Sequence, residues 1–135
     1  MVAYTYKSQF VAPTLERIKI GTIRAEGKKR HARPGEALQH YTGSRFRPRL
    51  FARSVCMSVD HIRLFIRSGF VEVGDEDSGI YCIEGAALDA FAVGDGFADW
   101  KDMTGFWRQT YDWGDRLFAF RGIWIRWKPE TLVTP

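Results

Sequence analysis

The stretch from Lys19 to Arg24 places an amine, a hydroxyl and a guanidinium close together in the chain. A threonine hydroxyl such as that of Thr22 becomes a nucleophile when a base removes its proton. A lysine is that base when burial or a neighbouring positive charge lowers its pKa, and Arg24 could supply the charge. The same residues also fit a plainer interpretation: a surface lysine, a β-branched strand residue and a salt-bridged arginine.

The elements around this stretch can bring the three polar groups together. A short helix is predicted to begin near Pro13 and to end before Gly21, which permits a sharp bend. In the strand that follows, side chains alternate between faces, so Thr22 and Arg24 are expected on the same face. Lys19, at the end of the helix, can then reach over that face.

The rest of the pattern predicts strands joined by short loops, with two further helices. Strands are expected at 22–25, 37–41, 51–65, 71–73, 80–83 and 117–127, helices at 85–93 and 99–111, a loop at 42–48, and a hairpin turn at 74–79. Residues 1–128 would form a single domain, and residues 129–135 a frayed C-terminal tail. The expected fold class is α+β: a small mixed β-barrel of five to six strands with two to three short helices.

Composition narrows the function classes. The 135-residue chain has no apolar run long enough to span a membrane, and its N-terminus does not resemble a signal peptide. The cysteines, Cys56 and Cys82, are too far apart for a zinc knuckle and too few for a disulfide scaffold. Common catalytic and metal-binding motifs are absent, so neither a metal nor a cofactor is expected. We predict a cytoplasmic protein without a membrane partner.

Charge is distributed unevenly along the chain. Residues 1–54 contain 12 basic and 3 acidic residues, whereas residues 55–135 contain 8 and 13. A basic half predicts contact with RNA or another polyanion, although solvated charge scattered over the surface is an open alternative. The candidate phosphate contacts are Arg24, Lys28, Lys29, Arg30, Arg33, Arg45 and Arg47, and Tyr41 is the candidate for base stacking.

Both ends of the chain resemble the ASCH domain family of bacteria and phages. At the N-terminal end, the similar positions are Gln9-Phe10, Lys19, Thr22-Ile23-Arg24, Arg33-Pro34-Gly35, Leu38 and Tyr41-Thr42-Gly43. At the C-terminal end they are Asp95-Gly96-Phe97, Met103, Phe106 and Phe120-x-Gly122-x-x-Ile125-x-Trp127. Residues 50–90 are similar only as generic strands.

The resemblance implies a PUA-like β-barrel whose cleft recognises RNA or a nucleoside. Some small ASCH proteins are amidohydrolases that deacylate N4-acylated cytidine; in them a lysine activates a threonine nucleophile and a glutamate shuttles protons. Lys19 and Thr22 match the first two positions. Asp95 falls on the third, where aspartate reaches about one carbon–carbon bond less far than glutamate. Asp95 could instead cap the following helix.

Three function classes follow from this resemblance. The first is a metal-free hydrolase acting on a modified nucleoside, with Lys19, Thr22 and Asp95 as catalytic residues. The second is an RNA-binding module or metal-independent ribonuclease that uses the basic N-terminal half. The third is an interaction module in which the Lys19–Thr22 corner carries out no chemistry. The oligomeric state does not follow from the sequence.

Overall fold

The computed structural model describes residues 1–110 and 119–135. Within these ranges the chain forms seven strands and three α-helices, an α+β fold. The predicted end of a helix at residue 111 and the predicted strand start at residue 117 lie outside the described residues. None of the described helices is both long and apolar enough to cross a lipid bilayer.

The elements follow one another in a mostly β order. The strands are β1 (Val2–Tyr6), β2 (Gly21–Ala25), β3 (Ala37–Ser44), β4 (Arg47–Phe65), β5 (Phe70–Asp75), β6 (Gly79–Ile83) and β7 (Ala119–Trp127). The α-helices are α1 (Val11–Leu15), α2 (Ala87–Gly94) and α3 (Trp100–Thr110), and single 3₁₀ turns lie at Ser8–Phe10 and Pro129–Thr131. The strand that the sequence analysis missed is β1.

A mixed sheet is organised around β4, the longest strand. Its first part pairs with β3, and its second part lies between β7 and β5. β1 is parallel to β3, whereas β2 is antiparallel to β7. Between β1 and β2 no backbone ladder is formed in the described part of the chain. The sheet is therefore not closed, and the expected barrel is not confirmed.

The predicted loop at 42–48 is wrong, because both flanking strands continue into it. Pairing extends to Ser44 opposite Arg47, so that only Arg45 and Phe46 form the turn. Gly43 adopts a φ of +96°, and a Cβ there would lie 2.6 Å from the carbonyl oxygen of Arg47. A glycine at this position therefore allows the strands to stay paired where the sequence suggests a break.

The C-terminal residues pack against the sheet rather than fray. Leu132 is buried, and Val133 exchanges two backbone hydrogen bonds with Arg53, of 2.8 and 2.9 Å. The Thr131 hydroxyl accepts a hydrogen bond from the backbone N–H of Val55. The predicted fraying is thus wrong for residues 129–133, because their backbone groups find partners on β4.

The core combines buried residues of the sheet with buried residues of α2 and α3. Met103 and Trp107 are buried on α3, and Trp100 packs beside them, which confirms the predicted apolar stripe. Cys56 is fully buried within β4, as expected of a small core residue. The predicted hairpin turn between β5 and β6 is confirmed, but it is shorter than 74–79 because Gly74, Asp75 and Gly79 already belong to the paired strands. This packing places α3 and the chain leading into it over the open gap between β1 and β2.

Candidate active site

A cleft of about 200 Å³ lies at the gap between β1 and β2. Its lining combines polar groups at the base with aromatic side chains: Thr5, Tyr6, Lys7, Phe10, Lys19, Thr22, Ile23, Arg24, Asp95, Phe97, Phe106, Trp107 and Thr110. A pocket with a few convergent polar groups among apolar walls is typical of small-molecule sites. The three catalytic candidates, Lys19, Thr22 and Asp95, all line it.

Lys19 is a buried residue, so its interpretation as a surface lysine is wrong. Its side chain is 3% exposed, and Nζ donates to the carbonyl oxygens of Gly21, at 2.7 Å, and Asp95, at 2.6 Å. A third, longer contact joins Nζ to the Asp95 carboxylate at 3.4 Å. The lysine is held in place because the backbone N–H of Ile20 bonds to the carbonyl of Gly94 just before Asp95.

Asp95 is a buried partner of Lys19 and not the cap of the following helix. It ends α2 and is 5% exposed. The N-terminus of α3 is capped instead by Asp99, whose Oδ1 accepts the backbone N–H of Asp102 at 2.8 Å. The helix-cap alternative for Asp95 is therefore wrong.

Gly96 allows this close approach. Its φ is +100°, and a Cβ there would lie 2.9 Å from Cδ of Lys19 and 2.9 Å from Cδ1 of Phe10. Only glycine combines this backbone conformation with so little space. The turn after α2 therefore places Asp95 against Lys19 without displacing the aromatic wall.

Thr22 and Arg24 share a face of β2, as predicted from strand alternation. Arg24 donates from Nε to the hydroxyl oxygen of Thr22 at 3.0 Å, and from Nη2 to the carbonyl oxygen of Thr5 at 2.8 Å. Its guanidinium also lies 5.0 Å from the ring centre of Tyr6. No ion pair joins Arg24 to a carboxylate in residues 1–110 or 119–135, so the salt-bridged interpretation of Arg24 is wrong.

Lys19 and Thr22 are neighbours in the cleft without being hydrogen-bonded to each other. Within the described ranges the short contacts of Nζ are to Gly21 and Asp95, whereas the Thr22 hydroxyl accepts from Arg24. A proton passing from Thr22 to Lys19 therefore requires a bridging water or a small movement of the lysine. Such tightening on ligand binding is common at catalytic hydrogen bonds.

Burial shifts both members of the Lys19–Asp95 pair toward their neutral forms. Burial lowers the pKa of Lys19, Asp95 opposes that change, and Arg24 adds to the lowering. Burial likewise raises the pKa of Asp95, against the opposing effect of Lys19. In its neutral form the Lys19 amine still has two N–H groups, which suffice for the carbonyl oxygens of Gly21 and Asp95. The third proton, which faces the Asp95 carboxylate, is therefore the one that can move. Lys19 is thus suited to accept and release a proton.

A buried polar chain that the sequence did not predict lies beneath the cleft. The Tyr6 hydroxyl lies 3.0 Å from Nδ1 of His40, and Nε2 of His40 lies 2.7 Å from the Ser54 hydroxyl. Burial, with smaller contributions from Lys19 and Arg24, lowers the pKa of His40 to about 4. A neutral His40 can accept a hydrogen bond from the Tyr6 hydroxyl. This contact orients the Tyr6 ring toward Arg24. The signal available in the sequence was His40, a polar residue on the buried face of β3.

An aromatic wall covers the polar base. Phe10, Phe97 and Phe106 contact one another with ring centres 5.2 to 5.6 Å apart. The Lys19 ammonium lies 4.9 Å from the centre of the Phe10 ring, and Lys7 Nζ lies at the same distance from Phe106. These rings form apolar surfaces against which a planar ligand can pack.

The candidate nucleic-acid contacts do not gather in one place. Arg24, Lys29 and Arg30 line a second cleft of about 710 Å³, bounded by the first residues of β1 and by His31. Arg30 is held by Glu36 through two hydrogen bonds of 2.6 and 2.7 Å. Arg24 is thus the residue that the two clefts share.

The other candidate nucleic-acid contacts do not line the second cleft. Lys28 and Arg33 are exposed on the loop that carries Lys29 and Arg30. Tyr41 is half-buried on β3, which limits the ring area available for stacking. Arg45 and Arg47 lie at the turn between β3 and β4. The basic residues therefore form two separate groups, one beside the second cleft and one at a hairpin turn.

Among the described residues, no group of three or more His, Cys, Asp or Glu side chains is arranged so that it could hold a metal ion.

No family model, curated protein or solved structure matches the chain. The interpretation of the cleft therefore depends on its own residues and geometry.

Proposed function

We propose that the chain is an ASCH-type domain that acts as a metal-free amidohydrolase, removing the acyl group from N4-acylated cytidine. The observation that carries the proposal is the meeting of Lys19, Thr22, Arg24 and Asp95 in one aromatic-walled cleft. Asp95 comes from a segment 76 residues away from Lys19. A buried amine beside a hydroxyl, a guanidinium and a carboxylate is an arrangement suited to acyl transfer.

In the proposed reaction Thr22 is the nucleophile. Its hydroxyl oxygen attacks the acyl carbon while Lys19 takes the hydroxyl proton. The bond from the acyl carbon to N4 then breaks, and the proton returns through Lys19 and Asp95 to N4, releasing cytidine. Water hydrolyses the acyl-threonine, which regenerates the Thr22 hydroxyl and releases the carboxylic acid.

Arg24 provides the charge stabilisation that this reaction requires. Its Nε already contacts the Thr22 oxygen at 3.0 Å, beside the position where the tetrahedral oxyanion would form. Fixed donors aimed at a developing negative charge contribute strongly to acyl-transfer catalysis. The positive charge of Arg24 also opposes protonation of Lys19, which supports the lysine as a base.

The size of the cleft favours a single base as the group that enters it. Its volume of about 200 Å³ lies below the range typical of sites for drug-sized ligands. The cytosine ring and its acyl group would lie among Phe10, Phe97 and Phe106, and the ribose would remain at the opening. The substrate can therefore be either a free acylated nucleoside or an acylated base within RNA.

A closed PUA-like barrel is part of this proposal. Its support is the hydrogen bond from Arg24 Nη2 to the Thr5 carbonyl, which bridges the two strands that lack a ladder. The proposal also places the protein in the cytoplasm, where free thiols such as the exposed Cys82 persist.

The test is turnover of N4-acetylcytidine by purified protein in the presence of a chelator. The intact protein should release cytidine, and Thr22→Val and Lys19→Met should each abolish the release, whereas Thr22→Ser should keep part of it. Thr104→Val is the matched control, because Thr104 is also a buried threonine but its hydroxyl bonds to the Lys101 carbonyl outside the cleft. Absence of turnover by the intact protein would overturn the proposal.

A second candidate function is RNA binding, with or without metal-independent cleavage. The observation that favours it is the second cleft, which brings Lys29 and Arg30 next to Arg24. Binding of this kind weakens steeply as salt increases, because phosphate contacts release counterions. Incubation of total RNA with the protein and a chelator separates binding from cleavage. A flat salt dependence would exclude it.

A further inference from the structure

The turn between β3 and β4 carries an exposed aromatic side chain flanked by arginines. Phe46 is 87% exposed, the largest exposed fraction among the large apolar residues described. Arg45, Arg47 and Arg49 are also exposed. Their side chains make no ion pair and no hydrogen bond in the described part of the chain. We call these four residues the hairpin tip.

The charge of this hairpin is entirely positive. From residue 37 to residue 59 the chain contains four arginines and neither aspartate nor glutamate. An uncompensated basic surface of this kind attracts a polyanion. Arginine also combines contact to phosphate oxygens with stacking on aromatic rings, so it suits a nucleic-acid partner better than lysine does.

Turn geometry does not explain the residues of the tip. Two-residue hairpin turns favour glycine, asparagine and aspartate, because their backbone requires a positive φ. Here Arg45 and Phe46 occupy the turn without a positive φ, and Gly43 takes the unusual backbone conformation instead. Phe46 adds nothing to the core, and its neighbours are three exposed arginines, so the tip offers a ring for stacking beside cations that can contact phosphate.

The hairpin tip extends away from the end of the cleft. The Thr42 hydroxyl donates to the Tyr6 carbonyl at 3.0 Å, and Tyr6 lines the cleft. Arg49 is paired with Thr42 and Arg47 with Ser44, so both arginines share the face of the hairpin that carries Thr42. At about 3.3 Å per residue, the turn lies about 10 Å beyond Thr42.

We propose that the hairpin tip binds single-stranded RNA, with Phe46 stacking on an unpaired base and the three arginines contacting the adjacent phosphates. The choice of RNA depends on the proposed function, in which one base occupies the cleft. The strand would leave the cleft past Lys7, cross the arginine-bearing face of the hairpin and place a neighbouring base on Phe46. Stacking and phosphate contacts of this kind do not depend on base identity.

The test compares binding of a labelled short oligocytidylate to the intact protein and to variants of the tip. Phe46→Ser and Phe46→Leu should each weaken binding about tenfold, because leucine keeps the apolar surface but lacks a ring for stacking. The double change Arg47→Gln and Arg49→Gln should reduce the slope of log affinity against log salt by about 1.4, corresponding to two phosphate contacts.

Matched controls are available on other parts of the surface. Tyr81 is a half-exposed aromatic residue on β6, and Arg67 is an exposed arginine in the turn between β4 and β5. Tyr81→Ser and Arg67→Gln should leave oligocytidylate binding unchanged. Equal binding by Phe46→Leu and the intact protein would overturn the proposal, as would equal losses in the control variants.

Two further measurements distinguish RNA binding by the hairpin tip from membrane binding and from the proposed hydrolase activity. Vesicles containing anionic lipid test a membrane anchor: binding to vesicles that Phe46→Ser abolishes, with oligocytidylate binding unaffected, overturns the RNA assignment. Turnover of free N4-acetylcytidine should be the same in Phe46→Ser as in the intact protein. If the intact protein lacks that turnover, the proposed hydrolase fails, while the oligocytidylate result still decides the role of the tip.

Discussion

The Nε atom of Arg24 donates a hydrogen bond to the hydroxyl oxygen of Thr22 over 3.0 Å. This contact places the hydroxyl oxygen of Thr22 against the positively charged guanidinium of Arg24. It also means that the same guanidinium contacts the candidate nucleophile and holds β1 through Thr5. Changes at Arg24 should therefore affect chemistry and local structure together.

Replacing Arg24 should slow catalysis more than it weakens substrate binding. Arg24→Gln removes the charge beside the oxyanion, and loss of one such donor reduces kcat by about a hundredfold or more. Arg24→Lys should lose less, because it keeps the charge without the bidentate geometry. Steady-state turnover of N4-acetylcytidine measures kcat and KM separately, with Arg67→Gln as the control. Unchanged kcat in Arg24→Gln would contradict the assigned role.

The Lys19–Asp95 pair should show strong coupling in stability. Lys19→Met leaves the buried Asp95 carboxyl group without its partner, and Asp95→Asn leaves the buried Lys19 amine without the carboxyl group it faces; each single change should cost about 2 kcal/mol in the free energy of unfolding. The double variant should recover most of that loss, because neither buried group is then left without its partner. Denaturant unfolding of the four proteins gives the coupling energy. Additive losses would show that the two side chains do not interact.

His40 should make the protein less stable in mild acid. The pKa of His40 in the folded protein, about 4, lies below the ordinary value of 6.5. Between those two pH values, His40 is therefore protonated in the unfolded chain and neutral in the folded one. Stability is therefore lost as pH falls from 6.5 to 4, by up to about 3 kcal/mol. His40→Gln removes this contribution, and the difference between the two unfolding curves isolates it from Asp95. Parallel pH profiles would refute the prediction.

Gly96 should tolerate a methyl group less well than Gly35, another glycine of positive φ. Gly35→Ala introduces only backbone strain, because a Cβ there meets nothing within 4 Å, and it should cost about 1 kcal/mol. Gly96→Ala adds a clash with Lys19 and Phe10, so its loss of stability should be larger and turnover should also fall. Thermal unfolding and the N4-acetylcytidine assay test both effects. Equal behaviour of the two variants would show that the lysine position is not constrained by Gly96.

The parts of the site that the sequence predicted are those set by local geometry. Thr22 and Arg24 share a face because strand side chains alternate, and this relation needs no knowledge of the fold. The position of Asp95 followed only from the resemblance to a family. Its contact with Lys19 depends on how the end of α2 lies beside the segment that leads into β2, where the Ile20 N–H bonds to the Gly94 carbonyl, and periodicity does not indicate this.

Non-local strand pairing accounts for most of what was missed. The contact between Tyr6 and His40 exists because β1 joins β3 in parallel, and no turn signal marks such a pairing. The loop predicted at 42–48 is wrong because the pairing of β3 with β4 continues through most of it. Instead, Gly43 supplies a tight bend, and Pro48 lies near the start of β4, where a strand accepts proline more readily.

The gap between β1 and β2 has one consequence for how the site can change. A backbone ladder would fix the spacing of these strands, whereas here the span is made by the length of one arginine side chain. Arg24 lines both clefts, so the length of the side chain at position 24 also sets how far the two clefts are separated. We therefore expect the size of ligand that the site accepts to depend on this one residue.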